Sequence, residues 1–354
     1  MEIDYRDMFL RGAETVECSY ERGKVIPFKG RKLPSLLRTP LVQIEDGPIQ
    51  AYKSGERSSI VHTHKKWFKK KGDNPMWGVK TPTGEPLGGM SYQKAVNELE
   101  TNEKIDLKLQ EFGYRNSLSP VALVEYDMPF ENGTKICSAI LETFGDTRVS
   151  SIVARLGKAN RLGLVLDVEY RTRLLSHIGS WLGFNHRILR ETSTFPTPAS
   201  SETSNYAIYR LNSGFAIGRV DFGSATTQSD SDYSKLYGTI FGELKSMHIE
   251  FVVAPVAARH GIDIKNLLYG FETGRIAIEI GNEENLVEEN GQQVLRIKKE
   301  DANFGPIDKS YYDAFDGKIV PQPIERNLVY RLFDTVKIEK IENIASPFSP
   351  FNTI

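Results

Sequence analysis

The 354-residue chain carries 45 Lys and Arg against 46 Asp and Glu, a net charge of −1, with 40% hydrophobic and 26% charged residues. That composition describes one or two globular domains in water, and the charge balance excludes a global field that would attract nucleic acid or an anionic membrane. Cys18 and Cys137 are too few for a disulfide framework and lack metal-ligand spacing.

The N-terminal MEIDYRDMFLRG is charged throughout, unlike a secretory leader. No window approaches roughly 18 uninterrupted apolar residues, so a cytoplasmic protein with no membrane segment is expected. Residues 1–40 read as an N-terminal extension, a short helix over Glu2–Arg11 followed by a basic connector punctuated by prolines. Within 41–63, two strand-like runs flank a turn that contains Gly55, Ser58 and Ser59.

The stretch HKKWFKKKG at 64–72 surrounds Trp67 and Phe68 with five lysines. It reads as a solvated loop whose lysine stems cover two rings, with contact to nucleic acid or an acidic surface as the alternative. Pro75–Lys80 is expected as a strand that ends on Lys80 at a Thr-Pro-Thr-Gly break.

Residues 91–112 have the features of a helix: Ser91 as N-cap, no internal Gly or Pro, and Gly113 to close it. Val96, Leu99, Glu103 and Leu107 share one face at spacings of three, four and four. A carboxylate on that stripe calls for a cation, because an unpaired buried charge costs several kcal/mol. Glu103 is the first choice, Glu100 the alternative, and Glu98 less favoured.

Val121–Tyr126 and Lys135–Leu141 are expected as paired strands, the second running into Glu142-Thr143-Phe144-Gly145-Asp146, with Asp146 capping the next helix. A helix from Asp167 is expected to end at Asn185-His186-Arg187, followed by a Pro-, Ser- and Thr-rich loop. Over 204–225, Tyr206–Tyr209 and Phe215–Ile217 flank Leu211-Asn212-Ser213-Gly214, a hairpin that would bring Asn205 and Asp221 together. An amide oxygen beside a carboxylate suits Mg²⁺, and Gly223 would permit an unusual backbone path. Beyond an irregular stretch to Ser234, helices are expected over Tyr233–Arg259 and Ile262–Thr273. Residues 281–325 then read as an acidic, turn-rich decoration, and Ile324–Glu342 as a last helix or strand. The histidines form no zinc-like group.

Asn205 with Asp221-Phe222-Gly223, in this order of strands and helices, resembles the protein-kinase family. The resemblance spans roughly residues 45–275. It implies an α+β, two-lobed protein-kinase-like fold: an antiparallel-sheet N-lobe with one main helix at 41–145 and a mainly helical C-lobe at 146–354. ATP and Mg²⁺ are the implied cofactors. Lys80 would clamp the α- and β-phosphates, Glu103 would hold Lys80, and the Gly55, Ser58 and Ser59 turn would cover the phosphates. Backbone groups from Glu142 to Phe144 would meet adenine, and Asn205 and Asp221 would hold the metal. His186 and Arg187 match the first two positions of the family's His-Arg-Asp, whereas Ile188 replaces the Asp that orients the nucleophile. Glu191, Glu202 or His186 would then stand in as base. The implied function is transfer of phosphate or AMP to a hydroxyl of a protein or small molecule. A catalytically inactive pseudokinase that binds nucleotide or a partner is the alternative, and a nucleic-acid-contacting protein the third reading.

Overall fold

The computed structural model describes residues 23–33, 50–53, 58–62, 66–80, 86–130, 133–145, 147–164, 167–196, 203–223, 225 and 233–335. The helix expected at Glu2–Arg11, together with Gly55, Asp146 and Glu202, lies outside them.

The fold is mixed α and β. Eight strands form one antiparallel sheet: β1 (Gly23–Pro27), β2 (Gln50–Lys53), β3 (Ser58–His62), β4 (Trp67–Lys71), β5 (Asp73–Lys80), β6 (Pro86–Ser91), β7 (Leu118–Pro129) and β8 (Lys135–Thr143). Their order is β1-β7-β8-β4-β3-β2, with β6 also on β8 and β5 on β6. Strand alternation divides β8 between two cores. Ile136 and Ile140 join Phe68, Val124 and Tyr126 on one face, while Cys137, Ala139 and Leu141 join Met90, Leu99 and Leu123 on the other.

Helix α1 (Tyr92–Gln110) covers the second face, with the Ser91 hydroxyl accepting from the Lys94 N–H. Its buried residues are Ala95, Glu98, Leu99, Thr101, Asn102, Ile105 and Leu109. The expected stripe was therefore out of phase: Leu107 is 59% exposed.

A second sheet joins β9 (Thr147–Arg148), β10 (Tyr206–Leu211) and β11 (Gly214–Arg219) in the order β11-β10-β9. Around it lie α2 (Ser150–Arg161), α3 (Val168–Glu191), α4 (Tyr233–His248), a π-helical segment (Ile249–Val253), α5 (Ala254–Arg259), α6 (Ile264–Glu272), α7 (Gly305–Phe315) and α8 (Arg326–Thr335). Asp167 and Asp263 cap α3 and α6 by accepting from the backbone N–H of Tyr170 and Asn266, at 2.6 and 2.7 Å. No described helix is long and apolar enough to cross a membrane.

Four expectations change. Gly23–Pro27, placed in an extension, pairs with β7 in the main sheet. Residues 66–72 are not a solvated loop, because Trp67–Lys71 is a strand between β3 and β8. Helix α3 does not stop at Arg187 but continues to Glu191. Nor is 281–325 a decoration throughout. β12 (Ile276–Gly281), β13 (Asn285–Glu289) and β14 (Gln292–Lys298) make a third sheet in which β12 runs parallel to β14. Helix α7 is part of the main helical core, pressed onto α3 so closely that a Cβ on Gly183 would lie 2.1 Å from the Tyr311 carbonyl oxygen.

Candidate functional site

The hairpin of β10 and β11 has the register Tyr206↔Arg219 to Leu211↔Gly214, so Asn205 and Val220 meet just beyond its open end. There the Val220 N–H donates to the Asn205 carbonyl at 2.9 Å. The next three side chains separate by alternation. Val220 enters the core under the main sheet and Phe222 the helical core, while the Asp221 side chain between them is 32% exposed. The unusual backbone path expected at Gly223 is not a positive φ, and a Cβ there would meet the end of the flexible Met90 side chain, 2.9 Å from Cε.

Opposite Asp221 is Lys71, the last residue of β4. Its Nζ lies 3.0 Å from Asp221 Oδ1 and 2.9 Å from Glu98 Oε1, and donates to the Val220 carbonyl at 3.1 Å. Gly72 makes that placement possible. At φ +88 the chain leaves the sheet, and β6 takes over the pairing with β8, from Lys71↔Ala139 to Met90↔Cys137. A Cβ at Gly72 would meet Met90 at 2.7 Å and the Cys137 carbonyl oxygen at 2.8 Å.

Glu98 is 0% exposed and fully engaged. Oε2 accepts from the Phe222 N–H at 2.9 Å, and Oε1 accepts from Asn102 Nδ2 at 3.0 Å. One turn-neighbour, Asn97, donates to the carbonyls of Phe222, Gly223 and Ala225. Helix α1 therefore grips the backbone on the C-terminal side of Asp221 with two adjacent side chains.

Electrostatically, one ammonium sits between two carboxylates. Burial alone would lower the Lys71 pKa, but Asp221 and Glu98 reverse that and hold it above the usual lysine value. Burial raises the Glu98 carboxyl; Lys71 opposes this and Asp221 adds to it. The result is a fixed cation held between a buried carboxylate and a partly exposed one.

The residues expected to build this site are placed unevenly. Asp221 and the backbone of Asn205 are together. Lys80 ends β5, where it pairs with Pro86 of β6; its side chain lies outside the described residues. Among the described side chains, the ammonium facing Asp221 is that of Lys71. Glu103 is not the buried carboxylate either: it faces outward and pairs with Lys29, with Arg31 at 4.0 Å. Ser58 is buried and pairs with Lys71 across β3 and β4, and Ser59 pairs with Lys70.

The strand end Glu142–Thr143 is flanked on both sides, by β4 and β7. The Phe144 N–H donates to the Ser117 carbonyl and its own carbonyl accepts from Arg210 N–H, both at 3.1 Å. Glu142 pairs with Lys66 at 2.9 Å. Both backbone groups of Phe144 thus already have a protein partner.

His186 is inside α3 and 1% exposed. Its Nδ1 lies 2.5 Å from Tyr311 Oη, and its Nε2 contacts Glu243 and lies 3.0 Å from Tyr206 Oη. Arg219 donates to the other Glu243 oxygen at 2.5 Å. Burial would raise the Glu243 carboxyl, but Arg219 and His186 outweigh it and hold the pKa at about 2. This interior network joins α3, β10, β11, α4 and α7; His186 is committed to it. Ile188, two residues on and 1% exposed, is likewise a core helix position, so the His-Arg-Asp alignment does not correspond to a loop here.

The lysines of the 66–72 stretch form no surface patch. Lys69 and Lys70 are buried and Lys71 is in the site, which leaves Lys66 exposed.

No protein-family model matches the chain, and no curated protein matches it. Among solved structures, the chain is similar to WaaP in complex with acyl carrier protein, at 10% identity, with 63% of this chain and 83% of that one covered and a TM-score of 0.33. A likeness that distant does not decide function.

The sequence reading left Lys71 out and ranked Glu98 behind Glu103 and Glu100. Lys71 had a signal, the same strand-end lysine before a break that singled out Lys80, here Lys71-Gly72. Glu98 had one in the 95, 98, 102, 105, 109 spacing that α1 buries, obscured because two of those positions are polar.

Proposed function

We propose that the chain is an ATP- and Mg²⁺-dependent transferase with a kinase-like arrangement, moving phosphate or AMP to a hydroxyl. One observation carries this reading: Lys71 from the sheet, Glu98 from α1 and Asp221 from the hairpin converge within 3.0 Å. Glu98 keeps the ammonium in place for the phosphates. The β2–β3 hairpin beside Lys71 is where the family resemblance puts a phosphate-covering turn.

The donor set fits Mg²⁺, which is held by one or two carboxylates and completed by phosphate oxygens. Asp221 and Asn205 would supply the protein share; among the described residues no group of three His, Cys, Asp or Glu offers a complete cage. Bound there, the metal would neutralise charge on the transferred group. The protein's own part is positioning: Glu98 and Asn97 fix the backbone of Phe222, and with it Asp221.

The test is a thermal-shift titration with ATP and Mg²⁺. Ligand at about 100 times its Kd should stabilise the wild type by roughly 2.7 kcal/mol. The response should vanish in Asp221→Ala and Lys71→Met and persist in Lys80→Met. A wild type indifferent to nucleotide and metal would overturn the proposal.

A second reading, a nucleotide-binding module without catalysis, has its own support. Glu191, one of the stand-in bases considered, is held by Arg187 at 2.6 Å and Lys108 at 3.1 Å. Incubation with α- and γ-labelled ATP separates AMP transfer, phosphate transfer and no chemistry.

A further inference from the structure

The third sheet has two edges, and they differ. Strand β14 lies in the middle, with β12 on one side and β13 on the other. The Gln293 N–H donates to the Arg275 carbonyl at 3.1 Å and the Lys299 N–H to the Gly281 carbonyl at 3.0 Å, so the odd-numbered residues of β12 turn their backbone groups toward β14. The N–H and C=O groups of Ile276, Ile278 and Ile280 therefore point away from the sheet, where no described strand meets them. Along this edge the sequence is Ile-Ala-Ile-Glu-Ile-Gly, without Pro or Lys, and Ile280 is 52% exposed. An apolar edge strand without such protection is a template for pairing with another chain.

The side chains indicate the partner. Arg275, Ala277 and Glu279 share one face by alternation, and the three isoleucines share the other. Glu279 is 52% exposed and meets Arg296 at 3.2 Å. Arg275 is exposed, lies over the Tyr269 ring at 5.2 Å and has no ion-pair partner among the described residues. A cation and a carboxylate on one face of a strand are complementary to the same strand reversed. With Ala277 of one copy opposite Ala277 of the other, Arg275 faces Glu279 at both ends of the pair, and Ile276 faces Ile278. The same register sets the outward-pointing groups of Ile276 and Ile278 against each other, which allows about four main-chain hydrogen bonds. The other edge offers no such match, because β13 carries exposed Glu288 and Glu289 and no cation.

We propose that β12 pairs antiparallel with β12 of a second copy of this chain, joining two three-stranded sheets into one across a two-fold axis at Ala277. Such an interface is isologous, the same patch serving both copies. Opposite charges directly across antiparallel strands stabilise the pair, and like charges there destabilise it. A strand pair of six residues is small beside the roughly 1,200 Å² of stable complexes, so monomer and dimer should exchange at micromolar concentration. The dimer goes beyond the transferase reading and does not depend on it.

The experiment is sedimentation velocity on the full chain, without nucleotide, from about 1 to 200 μM. The wild type should pass from monomer toward dimer over that range. Arg275→Glu and Glu279→Arg each set like charges against each other at both ends of the strand pair, and each alone should weaken self-association by about tenfold or more. Mixed in equal amounts, the two variants regain both opposite-charge pairs and should form a mixed dimer over the wild-type concentration range. Both side chains are exposed, so the reversals leave the core intact. A wild type that stays monomeric at about 200 μM overturns the proposal. So does a dimer that either reversal leaves undiminished, or a mixture that remains monomeric.

Discussion

At the scale of single residues, the molecule distinguishes two glutamates five positions apart on one helix. Glu103 pairs with Lys29, which is 62% exposed. Such surface pairs contribute about 0–1 kcal/mol. Glu98 is wholly buried against Lys71, and removing it leaves an ammonium short of one partner and the Phe222 N–H without its acceptor. Breaking a buried pair from one side costs about 3–5 kcal/mol. Chemical denaturation should therefore show Glu98→Ala destabilised by about that amount and Glu103→Ala by no more than about 1 kcal/mol. Equal losses would mean that the Lys71–Glu98 contact contributes no more than a surface pair.

At the scale of elements, the Arg219–Glu243–His186 network joins the hairpin that carries Asp221 to α3, α4 and α7. Its pH dependence follows from the direction of the Glu243 shift. The folded-state pKa, about 2, lies below the ordinary 4.5. The contribution is thus complete above pH 4.5 and is lost as pH falls toward 2, roughly 3 kcal/mol in all. Arg219→Met should abolish much of this acid dependence, read as a flatter stability profile between about pH 5 and 2.5; an unchanged slope would place the acid sensitivity elsewhere.

Elements also divide what the sequence revealed from what it concealed. The β10–β11 hairpin was legible because Asn212 and Ser213 separate two short apolar runs. The helices from Tyr233 to Arg259 and around Leu267 were legible because their periodicity is long and their ends carry Gly261 and Gly274, both at positive φ. The placement of Lys71 beside Asp221 was not legible. Lys71 and Lys80 both end strands, and what separates them is long-range: the exchange of β4 for β6 along β8. The phase of α1 was misread because Glu98 and Asn102 are buried polar residues, made tolerable by partners more than ten positions away, Phe222 and Asn116. The extent of α3 was misread because tertiary packing against α7 carries the helix past Arg187.

At the scale of the whole molecule, the described residues share few joints. Helix α1 is the main one: its Leu99 packs under the large sheet, while Ile105 and Leu109 belong to the helical core. The candidate site lies where these cores meet, so ligand binding there should be linked to the stability of both.

The buried face of β8 offers a way to measure that linkage. Cys137 is fully enclosed beneath the point where Gly72 turns out of the sheet, and burial pushes its thiol up to about 12. The side chain is in effect a chemical stopwatch: it reacts with a disulfide reagent only when strands part. In a Cys18→Ser background, native labelling should be slower than in urea by on the order of a hundredfold. ATP with Mg²⁺ should slow it further, because a triphosphate grasped by Lys71 and Asp221 would hold the strands above the thiol shut.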